Sequence, residues 1–406
     1  MAYLPLSNIL HYKLRSTLSA LGIGIGICML ITLSGLAHGT LGEISDRWEA
    51  VDADLIVYPR EWGDNVVTVY GIGLSDRYAE KILKDRADLV QNVIPVFLTQ
   101  MKIGGQDQTV VGVDSFNWPT LAGGRQLLAG GLFDPGGQFS DWMVQTLRRG
   151  GDNEPAAEEF TERLKAEMAR RGGMEMVIDS RLAAKAKLTV GDSLTVGNVQ
   201  WKIVGIAPSG VMARVFIPRR TAQYLFGLGG IDKSTLLFVK LKPGVSVDQA
   251  AASIRNLGYL EAIPVRQYRG LLESKFGAMF RYIDAVNLIA MIISFLFIMV
   301  TLYMMVLQRT REIAILKSFG ASDIFILRQI VAESLILTCT GAAVGIGMSF
   351  LAAWAIGKFL PLYTVTITWP WLVIAGITAL AGALVSALYP AWRATRVDMV
   401  EALTLE

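Results

Sequence analysis

QRTREIAILKSFGASDIFILRQI, residues 308–330, separates two of the most apolar runs in the chain. Residues 285–307 before it carry no charge, and residues 330–357 after it carry only Glu333. A bilayer core of about 30 Å takes ~20 apolar residues in a helix, so each run is long enough to span. Two more runs qualify: 18–37, uncharged, and 369–391, uncharged with Pro390 near its end. The first run is too long for the apolar stretch of a usual signal peptide and is read as a retained span. The basic residues of the quoted loop then orient the whole. Arg309, Arg311, Lys317 and Arg328 sit between the second and third spans, Lys13 and Arg15 precede the first, and Arg393 and Arg396 follow the fourth. Short basic flanks stay on the cytoplasmic side. Both termini are therefore expected in the cytoplasm.

The resulting fold class is a membrane α-helical protein of four transmembrane helices, with an α+β extracytoplasmic domain inserted between the first and second. The expected boundaries are a cytoplasmic segment 1–17, a first span 18–40, an outer domain 41–281 and a second span 282–308. A cytoplasmic loop 309–329, a third span 330–358, a short outer loop 359–368, a fourth span 369–391 and a tail 392–406 complete the chain. Trp354, Tyr363, Trp369 and Trp371 suit the outer interface and Trp392 the inner one, where amphipathic rings gather. Small residues recur at four-residue spacing: Gly22 and Gly26, Gly341 and Gly345, Ala383 and Ala387. Such spacing lets helix backbones approach closely. It fits packing within one bundle and equally a seam with a second copy.

Composition agrees with a membrane protein. The chain is 52% hydrophobic and 18% charged, with mean hydropathy +0.44, against about 25% charge in ordinary soluble domains. A net charge of +3 without a basic, aromatic-lined stripe argues against nucleic acid. Cys28 and Cys339 lie in apolar runs, and His11 and His38 are isolated, so neither a disulfide framework nor a metal site is expected. The same scarcity of histidine leaves no Ser-His-Asp or Cys-His constellation for an enzyme.

The outer region alternates strand and helix patterns. Strands are expected over 53–59, 90–97, 108–113, 176–179 and 236–241. Helices are expected over 75–87, capped by Ser75, and over 247–256. GDSLTVGNVQWKIVGI, residues 191–206, reads as a hairpin turning at Gly197-Asn198. Residues 134–173, rich in Gly, Pro and charge with a helical stretch over 156–171, read as an exposed excursion: a solvated appendage or a docking element.

Within the cytoplasmic loop, Ile313, Leu316 and Phe319 follow i, i+3, i+6 spacing, which places them on one helical face. Gly320 stops this helix and Ser322 caps the next. An amphipathic helix here can enter the groove of a soluble partner or rest on lipid. Glu333 is the one ionisable residue well inside a span. A charge there costs about 2.5–3.5 kcal/mol on insertion scales, so a pair with Lys13, Arg15 or Arg328 is expected.

REIAILKSFGAS (311–322), YPAWRATRVDMVEAL (389–403) and NILHYKLRSTLSALGIGIGI (8–27) together resemble the motifs of one class of ABC transporter permease. That class is the one of MacB, LolC/LolE and FtsX, and the three motifs fall in its order and on its side of the spans. In the outer domain, residues 191–206 and FVKLKPGVSVDQA (238–250) are similar to its hairpin subdomain and its return strand and helix. The excursion 134–173 has no counterpart.

The resemblance implies a permease with no bound cofactor of its own, driven by ATP and Mg on a separate P-loop ATPase subunit. No G-x-x-x-x-G-K-[ST] motif occurs in the sequence. Arg311, Glu312, Ile313, Leu316, Lys317, Phe319 and Gly320 would form the ATPase-coupling helix. Ile313, Leu316 and Phe319 would be buried in the ATPase groove, with Arg311 and Glu312 paired at its rim. A second permease copy, making a homodimer or a heterodimer, is implied. So is a bacterial inner-membrane location, in contact with membrane lipids. Work would pass to the outer domain by mechanotransmission.

Two functions follow. One is export or extraction of an amphipathic cargo: lipid, lipoprotein, peptide or drug. It would use a periplasmic adaptor if it is an efflux pump, or an apolar groove lined by Leu33, Leu36, Met279, Phe280, Ile283 and Val286 if it extracts lipoprotein. The other is an FtsX-like regulator that activates a cell-wall hydrolase. The long outer domain favours the first.

Overall fold

The computed structural model describes residues 13–395 apart from 69, 72, 104–105, 134–173, 197–198, 227–232, 309 and 361–362. The side chains of 13–15, 106, 224, 305 and 312 are also outside the description. The expected excursion, its helix 156–171 and the hairpin turn 197–198 thus lie outside the described residues. The chain divides into a helical unit, Met1–Thr40 with Gly277–Glu406, and an inserted unit, Leu41–Phe276.

Four helices of the described chain are long and apolar enough to cross a membrane. They are α1 (Lys13–Glu49), α7 (Gly277–Gln308), α9 (Asp323–Phe359) and α10 (Trp369–Thr395). All four overrun the expected span limits. α10 does so through Pro390, which sits inside the helix and is buried; proline is tolerated in membrane helices whose neighbours satisfy the freed backbone groups. The core of the helical unit is Ile23, Ile27 and Ile31 of α1, Ile298 and Leu302 of α7, Leu337 of α9, and Ala375, Ala379 and Ala387 of α10.

The small residues pack within this bundle. A Cβ on Gly26 would lie 2.0 Å from Ser294 Oγ, and one on Gly345 would lie 2.6 Å from Gly24 O. On Gly382 it would strike the Phe295 ring at 1.7 Å. Ser334 Oγ donates to Ala383 O (2.9 Å), joining α9 to α10. The four-residue spacings thus serve close approach between spans of one chain.

In the inserted unit the strands are β1 (Leu55–Pro59), β2 (Leu74–Ser75), β3 (Val90–Ile103), β4 (Gln106–Val113), β5 (Ala129–Gly130) and β6 (Glu175–Asp179). They continue as β7 (Ser193–Val196), β8 (Val199–Ala207), β9 (Val215–Pro218), β10 (Lys233–Ser234), β11 (Leu236–Leu241) and β12 (Leu260–Pro264). The helices longer than one turn are α2 (Arg77–Asp85), α3 (Ser180–Ala186), α4 (Arg219–Phe226), α5 (Val247–Arg255) and α6 (Tyr268–Lys275), and Trp118–Leu121 forms a single turn. One mixed sheet runs β12-β1-β11-β3-β4-β9-β6-β8-β5, with β7 paired to β8, and β2 pairs separately with β10.

The long β3 belongs to two halves. Its first half pairs antiparallel with β11, and from Phe97 onward it pairs with β4. Apolar side chains of its two faces enter two clusters. Ile94, Val96 and Leu98 join Trp48, Tyr268 and Phe238 on one side, while Val90 and Val93 join Ile82, Ala250 and Ile254 on the other. From Val93 to Leu98 that alternation is the period-two pattern of a strand covered on both faces, and Val90 shares the Val93 side because the register with β11 shifts between Val90 and Asn92.

Ser75 is not the cap of α2. Asp76 holds the N-cap position, without a side-chain cap bond. Its carboxylate instead accepts from Arg219 Nη1 (2.5 Å) and Ser234 Oγ (2.6 Å). Arg219 Nε also donates to Asp114 (2.8 Å). Burial pulls this guanidinium's pKa down, but the two carboxylates outweigh it and raise the pKa above the ordinary value. A second buried cluster centres on Asp179. Its Oδ1 caps α3 by accepting from Leu182 N (2.7 Å), and its Oδ2 accepts from Arg47 Nη2 (3.1 Å). Arg47 also holds Glu43 (2.7 Å) and Val211 O (3.1 Å), and Arg214 and Arg181 reach Glu43 as well.

Candidate coupling site

The loop between the second and third spans folds as one short helix, α8 (Thr310–Ser318). Thr310 Oγ1 donates to Leu307 O (2.7 Å) and Val306 O (3.2 Å), fastening α8 to the end of α7. α8 closes with the two bonds of a Schellman motif, Gly320 N to Lys317 O (2.9 Å) and Ala321 N to Leu316 O (3.0 Å). Gly320 has φ +90, which a Cβ would strain. Ser322 caps α9, its Oγ accepting from Phe325 N (3.3 Å). The stop and cap signals at Gly320 and Ser322 therefore operate as the sequence suggests.

The expected docking face needs correction. Ile313 is buried with Val306, Ile326, Ile330, Ala391 and Ala394, against the ends of the spans. Ala314 beside it is 0% exposed, while Ile315, Leu316 and Phe319 are exposed, Phe319 at 85%. The reason is geometric. A helix advances about 100° per residue, so each three-residue step falls back roughly 60°. Over two such steps Phe319 sits about 120° around from Ile313. The outward apolar face is therefore Ile315, Leu316 and Phe319, with Arg311 exposed alongside. Ile315 is the member that i, i+3 counting overlooked.

Lys317 also faces inward, with its side chain 14% exposed. Its Nζ donates to Thr395 O (2.5 Å) and lies 3.0 Å from Asp323 Oδ1. Glu333 is buried, 3% exposed, on the same face of α9 as Ile326, Ile330 and Leu337. Arg328 is exposed, and Lys13 and Arg15 lie among the residues whose side chains are not described.

The groove residues fall on α1 and α7. Met279 is exposed, and Leu33, Leu36, Phe280, Ile283 and Val286 are half-buried. Polar contacts join the two helices along their length: Ser19 Oγ to Thr301 Oγ1 (2.5 Å), Ser294 Oγ to Gly22 O (3.3 Å) and Asn287 Nδ2 to Ser34 Oγ (3.0 Å). At the far end the rings of His38 and Phe280 lie 4.6 Å apart, and Trp371 lies 5.0 Å from His38. The composition of α7 gave no hint of this polar seam, since Asn287, Ser294 and Thr301 are scattered singly. Their spacing of seven is the signal that places them on one face. No cluster of metal-binding side chains occurs among the described residues.

Four apolar helices, a mixed-sheet domain inserted after the first, and a short amphipathic helix between the second and third define a membrane permease architecture. The comparisons with known proteins specify it. The MacB-like periplasmic core domain family matches residues 16–257, and the FtsX-like permease C-terminal family matches residues 285–399. The chain belongs to the MacB/FtsX family of ABC transporter permeases.

Among its relatives is the macrolide export ATP-binding/permease protein MacB of Bdellovibrio bacteriovorus, 23% identical over 97% of this chain and 60% of that protein. The protein of the same description from Mannheimia succiniciproducens is 22% identical over 99% of this chain and 60% of its own length. The chain thus spans about 60% of the curated relatives it matches. Among solved structures, the periplasmic region of MacB from Actinobacillus actinomycetemcomitans is 12% identical and aligns with 55% of this chain and 95% of its own, at TM-score 0.36. The extracellular domain of the ABC-type transporter YknZ is 13% identical over 52% of this chain and 98% of its own, at TM-score 0.33.

Proposed function

We propose that the chain is the permease of an ATP-driven export or extraction system, and that a P-loop ATPase outside these residues docks on α8. The observation that carries this reading is the division of α8 into two faces. One is buried on the span ends, and the other presents Ile315, Leu316 and Phe319 outward in a row. A large exposed aromatic beside two exposed aliphatic residues suits insertion into a hydrophobic groove. Arg311 beside them suits pairing with an acidic rim. Glu312 follows Arg311 in sequence and is proposed for the same rim. Gly320 ends the helix, so that Phe319 stands at its tip.

On this reading ATP and Mg bind to the ATPase and the permease binds no cofactor. Two permeases, identical or not, work with two ATPases in the bacterial inner membrane, with both termini in the cytoplasm. Closure of the ATPases moves the spans and, through them, the inserted domain, where an adaptor protein binds if the system is an efflux pump. The cargo is amphipathic: a lipid, lipoprotein, peptide or drug. The relatives from Bdellovibrio bacteriovorus and Mannheimia succiniciproducens are macrolide export proteins, which supports the drug end of that range. Glu333 anchors the inner ends of the spans by a charged contact. The half-buried residues Leu33, Leu36, Phe280, Ile283 and Val286, with exposed Met279, are the proposed surface for the cargo's apolar part.

The test is a mild-detergent isolation of tagged wild type and Phe319→Asp from native membranes, with mass spectrometry of the co-isolated proteins. The wild type brings down a P-loop ATPase and the variant, inserted at equal level, does not. Equal recovery of active ATPase with Phe319→Asp overturns the docking assignment. The other proteins recovered identify the branch. An adaptor or outer-membrane channel indicates efflux, a lipoprotein indicates extraction, and a cell-wall hydrolase indicates the regulator.

A further inference from the structure

Lys317 lies in the last turn of the docking helix, yet it does not belong to the docking face. Its ammonium has three donors and no acceptor, and it reaches two different spans. One contact is the carbonyl of Thr395 on α10, to which Nζ donates at 2.5 Å. Asp323, 3.0 Å from the same Nζ, is the first residue of α9 after its Ser322 cap. Beneath these contacts Ile313 packs on Ile326 and Ile330 of α9 and on Ala391 and Ala394 of α10. The Lys317 stem therefore leaves an apolar seat, and its charged tip fastens that seat to both helices.

We infer that Lys317 is a positioning residue that locks the docking helix to the ends of the third and fourth spans, so that α8 and those spans move as one body. The inference rests on the docking role of α8 proposed above. A push on the exposed face reaches α9 and α10 through this tie, whereas α7 is reached through the Thr310 contacts. Without the tie, α8 can follow the ATPase while the spans stay behind. The ion pair with Asp323 is the weaker part, because that carboxylate is 64% exposed and water screens it. The bond to the Thr395 carbonyl is the stronger part.

The experiment measures the tie and the docking separately. Nitroxide labels are placed at Ser318→Cys on α8 and Lys358→Cys at the far end of α9, in the full chain with Cys28→Ala and Cys339→Ala. Helix α9 has 37 residues, so the labels stand roughly 55 Å apart at 1.5 Å per residue, within reach of pulsed dipolar spectroscopy. With Lys317 present the distance distribution is narrow, and its mean does not shift when ATP and vanadate are added to the complex isolated with its ATPase. With Lys317→Met the distribution at least doubles in width and the mean becomes ATP-dependent, while the amount of ATPase recovered equals that of the wild type. Lys317→Arg restores an ATP-independent mean, and Asp323→Asn broadens the distribution less than Lys317→Met does.

A merely destabilising substitution would not make the distance respond to nucleotide. A Lys317→Met distribution as narrow and as ATP-independent as the wild type overturns the inference. Loss of the ATPase with Lys317→Met, as complete as with Phe319→Asp, also overturns it, by placing Lys317 on the docking face. Failure of the docking role itself is read from Phe319→Asp alone.

Discussion

Replacing Asp179 by alanine should open the first turns of α3 and loosen the end of α1 from the inserted sheet. The carboxylate is 0% exposed and has two separate tasks. Its Oδ1 caps α3 at Leu182 N, a role worth about 1 kcal/mol when such a cap is removed. Its Oδ2 accepts from buried Arg47, and breaking a buried charged contact costs roughly 3–5 kcal/mol. The lower end of that range applies, because Arg47 keeps Glu43 at 2.7 Å and Val211 O at 3.1 Å. Three guanidinium groups, those of Arg47, Arg181 and Arg214, then face Glu43 alone. Arg214 already feels the crowding: burial first, and Arg47 next, lower its pKa from the ordinary value.

The cost should be about 4 kcal/mol, and at 1.4 kcal/mol per factor of ten that speeds local opening several-hundred-fold. The assay is amide hydrogen exchange at Leu188, whose bond to Ala183 O (2.9 Å) the substitution does not touch. Asp179→Asn keeps an oxygen to cap Leu182 and loses only the charge, so its effect should be roughly fivefold smaller, as one retained cap of ~1 kcal/mol implies. If Leu188 in Asp179→Ala exchanges within about threefold of the wild type, the reasoning from buried charge and cap is refuted.

Other expectations are more local. Gly345→Leu should disrupt the helical unit, since even a Cβ would lie 2.6 Å from the Gly24 carbonyl, whereas Gly347→Leu, with open space around it, should leave thermal unfolding in detergent unchanged. Tyr58, raised to about 12 by burial and by the nearby Glu261 and Asp64 carboxylates, holds its proton more tightly folded than unfolded. The inserted unit should therefore lose stability as pH rises from 10 towards 12, and Tyr58→Phe should remove that part of the loss in alkaline unfolding curves. Asp192 is held below its ordinary value by the backbone N–H and then the hydroxyl of Thr189. Its contribution is present above the ordinary carboxylate range and fades as pH falls through the lowered value, so Asp192→Asn should flatten the acid-side exchange profile of the 189–192 turn. A protease site placed at Asn153 should be cut from the outer side only; cleavage from the cytoplasmic side would overturn the topology.

The spans were legible because a bilayer imposes length and uniform apolarity, and residues 18–37, 285–307, 330–357 and 369–391 offer both. The hairpin at 191–206 and the strands of 236–241 and 53–59 were legible because β-branched runs are bounded by turn residues. Strands β9 and β12 were not, since VFIP and LEAIP are too short to show a period and depend on neighbours far along the chain. At the site, Gly320 and Ser322 act locally and could be read locally. Ile313 and Lys317 could not. Both are turned inward by residues of α9 and α10 that lie as far along the chain as Thr395, and the three-residue count that grouped Ile313 with Phe319 ignores the drift of a 3.6-residue turn. The spacing of seven puts Asn287, Ser294 and Thr301 on one face, but their partners on α1 lie 253, 272 and 282 residues away and could not be read locally.

The two ends of residues 134–173 have a consequence for how this family can change. Before the segment, β5 pairs with one side of β8, and after it β6 pairs with the other side of the same strand. Phe133 and Met174, which bracket it, are both buried. The segment is therefore bounded by fixed posts on a shared strand, and the sheet closes whatever lies between them. Doubling the length of such a connection adds only about 0.6 kcal/mol to the cost of closing it. Evolution can lengthen, shorten or exchange this cassette without disturbing the register of β5, β8 and β6. A protein engineer can use the same position for a reporter or affinity handle.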